Sequence, residues 1–323
     1  MPSKQEDGYL SCSLSAGEAE AFFKACRELP TALYVTSPDY LGNTLDISAL
    51  AEMCHRYGVL LLVDNAHGAY LKFLSPSRHP IDLGADACAD SAHKTLPALT
   101  GAAYLHISKN APPAFAASAK DSMALFASTS PSYLILQSLD ALNAHLAQGY
   151  ARRLASFVLL ANQQKQLLCE HGFVFLGNEP LKWTIDAKRI GYTGKELADL
   201  LSARGLVCEF SDPDYLVLML SPEAGASVLD RVYRVLLEIE QRPAITTRPP
   251  APVNRPTVLS PRVALLSPME LIPTEEASGR ILASPTVSCP PAVPIVRIGE
   301  RIDSAAIEAF HYYSIKICLV VKE

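Results

Sequence analysis

The first third of the chain alternates short apolar blocks with longer amphipathic ones. The blocks ALYVTSP (32–38) and VLLLVD (59–64) are typical of strands, and DISALAEMCHRYG (46–58) has the spacing of a helix between them. The second strand lacks a polar face, as expected of a parallel strand that is covered on both sides. Two further strands are predicted at 85–91 and 101–108. This alternation predicts an α/β fold with a mostly parallel sheet and helices on both faces.

The pattern changes after residue 130. From 131 to 170 the apolar residues recur at helical spacing, and Gly149 is expected to divide this stretch into two helices. The next segment combines strands with a helix at 194–205 and a closing helix that ends near Gln241. Its strands are predicted at 173–177, 181–187, 206–210 and 215–220. These elements predict a small α+β domain.

Six prolines between residues 242 and 262 predict an extended, semi-rigid connector. The chain is therefore divided into four parts. These are a partial major α/β domain (1–130), connecting helices with a small α+β domain (131–241), the proline-rich linker (242–262) and a C-terminal module (263–323).

Composition narrows the range of partners. Of the 323 residues, 49% are hydrophobic and 19% are charged, which is typical of a globular protein with a sizeable core. A net charge of −5 and the absence of a Lys/Arg cluster argue against nucleic acid as a partner. The eight cysteines include no C-x-x-C pair, so we expect reduced thiols and a cytoplasmic location. The apolar runs are too short to cross a membrane.

Two polar clusters follow strands that are predicted to be neighbours in the sheet, in the sequences VDNAHG and DSAHK. The carboxyl ends of parallel strands meet at one edge of a sheet, where ligands bind in open α/β folds. We therefore expect both clusters to face one pocket. The clusters contain Asp64, Ala66 and His67, and Ser91, His93 and Lys94.

This set of groups matches the needs of pyridoxal phosphate. That cofactor takes a lysine amine for its aldehyde, a carboxylate for its ring nitrogen, and serine or histidine donors for its phosphate. Lys94 is the candidate amine and Asp64 the candidate carboxylate. Ala66 fits the same interpretation, because a flat ring must lie against a small side chain.

The motifs also resemble a known family. TSPDYLG (36–42), VDNAHGAY (63–70), HPIDLGADACADSAHKTLPALTGAAYLH (79–106) and STSPSYLILQSLD (128–140) are similar to the major domain of the Orn/Lys/Arg decarboxylases, which are fold-type I pyridoxal-phosphate enzymes. Later segments resemble the small and C-terminal domains of that family. They are LKWTID (181–186), GYTGKELADLL (191–201), EASGRILA (276–283) and CPPAVPI (289–295).

The resemblance implies decarboxylation of lysine, ornithine or arginine by a homodimer or higher oligomer, with 1–130 as the cofactor-binding part. It implies that Lys94 forms the Schiff base with the cofactor, and that Lys94 or His93 returns the proton. In the family, the turn around residues 129 and 130 reaches the phosphate of the partner subunit. The implied cofactor-binding residues are Asp64, Ala66, His67, Ser91, His93, Lys94, Thr129 and Ser130.

The sequence departs from the family in two ways. Asn65 stands where the family usually has a glutamate. Members of the family also carry a half-domain with a phosphate-binding loop before the TSPDY strand, and the residues before Asp64 contain no glycine-rich loop of that kind. We therefore expect a truncated copy and poor activity from the 323 residues alone.

Two other interpretations stay open. A non-catalytic chain that dimerises, for example with a full-length relative, would carry the same motifs. Asp64, His67 and His93 would also suit a divalent metal, but Lys94 would place a repelling cation beside it. We therefore predict no metal ligands.

Overall fold

Four strands form the sheet that carries the candidate site. The computed structural model describes residues 13–127, 130–284 and 294–322. Its first sheet has the order β1-β2-β3-β4, with the first three strands parallel and β4 antiparallel to β3. The predicted mostly parallel α/β sheet is therefore confirmed. The strands are β1 (Ala32–Thr36), β2 (Leu60–Asp64), β3 (Ala87–Asp90) and β4 (Tyr104–Ile107).

Helices pack on one face of this sheet and border the other. On one face, α2 (Ile47–Arg56) packs on β2, and α1 (Ala16–Ala25) packs on α2. The Asp46 side chain begins α2 by accepting a hydrogen bond from the backbone N–H of Ala49 at 3.0 Å. On the other face, α4 (Pro113–Ala124) borders an apolar groove over the sheet.

Long helices lead away from the sheet, as the sequence predicts. They are α5 (Tyr133–Ala147) and α6 (Tyr150–Glu170), separated at Gly149, whose φ of 82° is in the left-handed region that favours glycine. Between β3 and β4 lies α3 (Ala92–Thr95), a single turn that carries part of the candidate site.

The small domain contains an antiparallel sheet of order β5-β6-β8-β7 with two helices. Its strands are β5 (Phe175–Leu176), β6 (Lys182–Asp186), β7 (Phe210–Ser211) and β8 (Tyr215–Met219), and its helices are α7 (Gly194–Ser202) and α8 (Ala226–Leu237). The largest core cluster joins Tyr70 and Leu96 of the first domain to Trp183 of β6. The small domain is thus packed directly against the segment that holds α3.

The predicted strand at 206–210 is wrong except for its last residue. The backbone N–H of Leu206 donates to the carbonyl of Leu201 and so completes the end of α7 instead of entering a sheet. Val207 is 89% exposed, so its β-branched side chain does not pack on a neighbouring strand. Pairing with β8 begins only at Glu209, whose N–H donates to the carbonyl of Val217.

The proline-rich segment contains no helix or strand from 240 to 256, but it is anchored along its length. Lys188 Nζ donates to the Thr247 carbonyl at 2.8 Å, and Arg255 forms two hydrogen bonds with the carboxylate of Asp303. The remaining elements are α9 (Pro261–Leu266), β9 (Met269–Pro273), α10 (Ser304–Tyr312) and β10 (Ile317–Val321), with β9 and β10 paired antiparallel. Across the described ranges, no helix is long and apolar enough to cross a membrane.

Replacing Gly194 by alanine should destabilise the fold. A Cβ at this position would clash with the Tyr215 carbonyl oxygen and lie 2.6 Å from that of Asp212, and backbone atoms cannot move aside as a side chain can. We expect Gly194→Ala to lower the free energy of unfolding by about 2–3 kcal/mol in a urea titration.

Gly17→Ala is the matched control for this prediction. Gly17 lies in the first turn of α1, and no atom lies within 4 Å of the Cβ that alanine would add. The free energy of unfolding should stay unchanged or rise by up to about 1 kcal/mol. Equal effects of the two substitutions would contradict the steric argument.

Candidate active site

The two polar clusters lie together at the carboxyl edge of the first sheet. Asp64, the last residue of β2, is paired in register with Ala89 of β3, and the N–H of Asn65 donates to the Ala89 carbonyl at 2.9 Å. This parallel pairing brings the residues that follow each strand close to one another. As a result, Lys94 Nζ lies 3.4 Å from His67 Nε2.

Helix α3 presents Lys94 to the edge of the sheet. Ala92 and Leu96, four positions apart, are buried in the core and hold this single turn in place. Lys94 lies between them in sequence and is exposed. Ser91 precedes the turn, and its hydroxyl makes no capping hydrogen bond to it. The amine of Lys94 and the hydroxyl of Ser91 are therefore not engaged in holding α3.

Asp64 is half-buried and oriented by two donors. One carboxylate oxygen accepts the backbone N–H of Ala66 at 3.0 Å, and the other accepts the hydroxyl of Tyr34 at 3.3 Å. Burial, followed by the charge of Asp64, raises the pKa of Tyr34, so this phenol remains a donor at neutral pH. The Asp64 carboxyl group is thus held in one orientation next to the small side chain of Ala66.

His67 is held in its neutral form. Burial is the main cause, and the positive charges of Lys182 and Lys94 add to it, so the pKa of His67 is lowered to about 3. Its ring packs edge-on against Tyr40, with the centroids 5.2 Å apart, and Lys182 Nζ lies 5.5 Å from the centre of the Tyr40 ring. Because an ammonium group can only donate, His67 Nε2 is the acceptor for Lys94.

His93 is fixed through its other ring nitrogen. Nδ1 lies 2.9 Å from the carbonyl oxygen of Ala102, and the backbone N–H of His93 donates to the same oxygen at 3.3 Å. A carbonyl oxygen only accepts, so Nδ1 carries the proton. Nε2 points away from this contact and is left for another partner.

A buried carboxylate fixes the end of β3 directly before Ser91. Asp90 accepts the side-chain amide N–H of Asn65 at 2.7 Å on Oδ1, and Oδ2 lies 3.0 Å from His79 Nε2 and 3.2 Å from His106 Nε2. Burial raises the pKa of Asp90, but the hydrogen bonds from His106 and His79 outweigh it and hold that pKa well below its ordinary value. A glutamate in place of Asn65 would set two carboxylates side by side here.

Several of these residues were missed in the sequence. Tyr40 and Lys182 lie within segments that resemble the family, TSPDYLG and LKWTID, but nothing in the sequence assigned either residue to the site. His79 and His106 showed no partner before the strands were paired. One signal was present for Lys182, because a lysine inside the apolar strand LKWTID is buried and must be balanced by other groups.

Two predicted cofactor-binding residues, Thr129 and Ser130, come from the segment before α5. Thr129 lies outside the described residues. Ser130 lies before α5, but Ser132 caps that helix by accepting the N–H of Ile135. In the described parts of the chain, the ligand atoms of His79, Asp90 and His106 lie within 4.8 Å of one another, whereas Asp64, His67 and His93 do not form such a group.

The lowered pKa of His67 should make stability depend on pH. Since the folded-state pKa is near 3 and the ordinary value is 6.5, only the unfolded chain takes up this proton as the pH falls from about 6.5 towards 3. His67 therefore reduces stability across that window. The free energy of unfolding of the wild type should fall between pH 7 and pH 5. In His67→Gln, urea titrations should show a fall that is smaller by about 1–2 kcal/mol.

His145→Gln is the control for the pH experiment. His145 is partly exposed and pairs with Glu223 at 2.9 Å, away from the site. Its substitution should leave the wild-type pH dependence within about 0.5 kcal/mol. The assignment of a neutral His67 fails if both variants shrink the pH dependence equally.

Comparisons with known proteins identify the family of the chain. Residues 16–180 match the family described as Orn/Lys/Arg decarboxylase, major domain. The uncharacterized protein YaaO of Bacillus subtilis is 31% identical over 301 residues, covering 85% of this chain and 60% of that protein. The arginine decarboxylase of Bacillus subtilis is also 31% identical, over 311 residues, covering 88% of this chain and 62% of the enzyme.

Solved structures show the same fold. The Francisella novicida lysine decarboxylase LdcF matches with a TM-score of 0.71 and 16% identity over 95% of this chain and 60% of its own. The constitutive lysine decarboxylase of E. coli matches with a TM-score of 0.71 and 17% identity, over 95% of this chain and 61% of its own. The chain thus spans about 60% of the length of the relatives it matches. It has the fold of the fold-type I enzymes and belongs to the Orn/Lys/Arg decarboxylase family.

Proposed function

We propose that the protein is a pyridoxal-phosphate-dependent decarboxylase of a basic amino acid, with Lys94 as the residue that binds the cofactor. The observation that carries the proposal is the meeting of Lys94 and His67, 3.4 Å apart, at the carboxyl edge of the sheet where Asp64 ends the neighbouring strand. Membership of the Orn/Lys/Arg decarboxylase family supports the same reaction class.

The donor set of the site fits this cofactor. Lys94 offers an exposed amine, Asp64 offers a fixed carboxylate for a protonated ring nitrogen, and Ala66 leaves room for a flat ring. The Ser91 hydroxyl, which does not cap α3, is a donor for phosphate. When bound, pyridoxal phosphate supplies the electron sink for loss of the α-carboxylate of an amino acid.

The histidines handle protons in this proposal. His67 stays neutral, so its Nε2 accepts a hydrogen bond from the Lys94 amine and orients it without adding positive charge. His93, with Nδ1 bound to Ala102, presents Nε2 as a proton acceptor and, once protonated, as a donor. Lys94 and His93 are therefore the two candidates for returning a proton after the carboxylate leaves.

Arginine is the substrate that the relatives favour. Curated relatives of Bacillus subtilis and Halalkalibacterium halodurans, 31% and 30% identical, are named arginine decarboxylases. The lysine decarboxylases share only 16–18% identity and support the fold alone. We therefore expect arginine to be used in preference to lysine and ornithine.

Chemical trapping tests the assignment of Lys94. Purified protein is incubated with pyridoxal phosphate and reduced with borohydride, and the labelled peptide is mapped by mass spectrometry. We expect the label on Lys94 and its loss in Lys94→Ala. Lys109→Ala, which removes another exposed lysine, should label like the wild type. Labelling of a different lysine in the wild type would refute the assignment.

Carbon dioxide release from arginine, lysine and ornithine tests the reaction itself. Release that depends on Lys94 supports the decarboxylase. Labelling at Lys94 without release from any of the three substrates would favour the non-catalytic alternative instead.

We also propose that the protein forms a dimer through the segment around residues 125–134. The family resemblance places the Thr129–Ser130 turn at a subunit interface. Large apolar side chains on both sides of that turn are exposed, which is typical of an interaction surface. Their exposed fractions are 78% for Leu125, 93% for Phe126, 82% for Tyr133 and 68% for Leu134.

Sedimentation velocity tests this interface. We expect the wild type to be dimeric or larger at micromolar concentration, and Phe126→Asp to weaken association at least about tenfold, because a carboxylate would be buried without a partner. Val207→Asp changes another exposed apolar residue, on the small domain, and should leave association unchanged. A wild type that is monomeric at this concentration would contradict the proposal.

A further inference from the structure

Four side chains with metal-binding atoms converge beside the end of β3, and the decarboxylase chemistry proposed above uses none of them. We call this group the strand-end cluster. Its members are His79, Cys88, Asp90 and His106. The ligand atoms of the two histidines and the aspartate all lie within 4.8 Å of one another.

The sheet itself brings the strand-end cluster together. Cys88 and Asp90 are two positions apart on β3, so their side chains lie on the same face. His106 is the cross-strand partner of Cys88 on β4. His79, from the loop before β3, completes the group and packs its ring edge-on to His106, with the centroids 5.1 Å apart.

The distances suit a small tetrahedral ion. Zinc binds nitrogen and oxygen at about 2.0–2.2 Å and sulfur at about 2.3 Å, which sets ligand atoms roughly 3.3–3.7 Å apart. Asp90 Oδ2 lies 3.0 Å and 3.2 Å from the Nε2 atoms of His79 and His106. Cys88 Sγ lies 3.8 Å from His79 Nε2 and 3.8 Å from Asp90 Oδ1. These four distances lie within about half an ångström of that spacing.

Burial and charge also suit such an ion. The side chains of His79 and Asp90 are 4% and 3% exposed, whereas that of His106 is 40% exposed and leaves a route from solvent. One carboxylate, one thiolate and two neutral imidazoles carry two negative charges, which balance a divalent cation. Nitrogen and sulfur ligands favour zinc-class transition metals over magnesium or calcium.

We propose that the strand-end cluster binds one zinc-class divalent transition-metal ion. On binding, the thiol proton of Cys88 is released to solvent, and the Nε2 proton that each histidine donates to Asp90 is replaced by one on Nδ1. The lone pairs of the sulfur, both Nε2 atoms and the Asp90 carboxylate then bond to the ion. The ion ties β3 and β4 to the loop before β3. The ion also stiffens the end of β3, because its ligand Asp90 directly precedes Ser91 and the turn α3 that presents Lys94.

Cobalt is the spectroscopic probe for this site. Full-length protein treated with a chelator is titrated with Co²⁺, and we expect one equivalent to give the visible bands of a tetrahedral complex with a near-ultraviolet thiolate-to-cobalt band. Added Zn²⁺ should abolish both. Cys88→Ser should remove the near-ultraviolet band, and His106→Gln should weaken binding of Co²⁺ at least about tenfold.

His145→Gln is the matched control, since His145 is a partly exposed histidine that pairs with Glu223 outside the strand-end cluster. It should bind Co²⁺ like the wild type, and circular dichroism should show all variants folded. Three results would overturn the proposal. They are no stoichiometric Co²⁺ binding by the wild type, a thiolate band that persists in Cys88→Ser, and binding that is equally strong in His106→Gln.

Discussion

The parallel pairing of β2 with β3 is the constraint on which the candidate site depends. Register places Asp64 beside Ala89, so the segments after both strands leave the sheet at the same edge. The side chain of Lys94, on the turn after β3, therefore reaches that of His67, after β2. A shift of one residue in this register would turn Asp64 and its neighbours to the opposite face of the sheet, and the two clusters would no longer meet.

Buried polar groups then fix the details of that edge. Asp90 is nearly inaccessible to solvent, and three side-chain donors around it compensate for the lost water. His67, in contrast, stays uncharged, because burial and nearby cations lower its pKa. One polar residue at this edge is therefore held charged and another neutral, and each directly adjoins residues proposed to contact the cofactor.

Much of this arrangement follows from local sequence. Strand and helix periods predict the first sheet, and the strand-end motifs point to Asp64 and Lys94 because their chemistry and spacing are local. The error at 206–210 has a local cause as well, since completion of the end of α7 outweighed the strand preference of Val207. Lys182 could not be assigned to the site from the sequence, because its contact with the backbone of Asp39 joins residues 143 positions apart.

The contact of Tyr40 with both His67 and Lys182 limits how the site can be transplanted. The segment from β1 to β4 contains the amine of Lys94, the carboxylate of Asp64, and both His67 and His93. It could therefore be taken for a unit that works on any scaffold. The neutral state of His67, however, depends in part on Lys182, which belongs to β6 of the small domain. A graft of the motif segment onto another α/β scaffold would therefore reproduce the positions of these side chains but not the protonation state of His67.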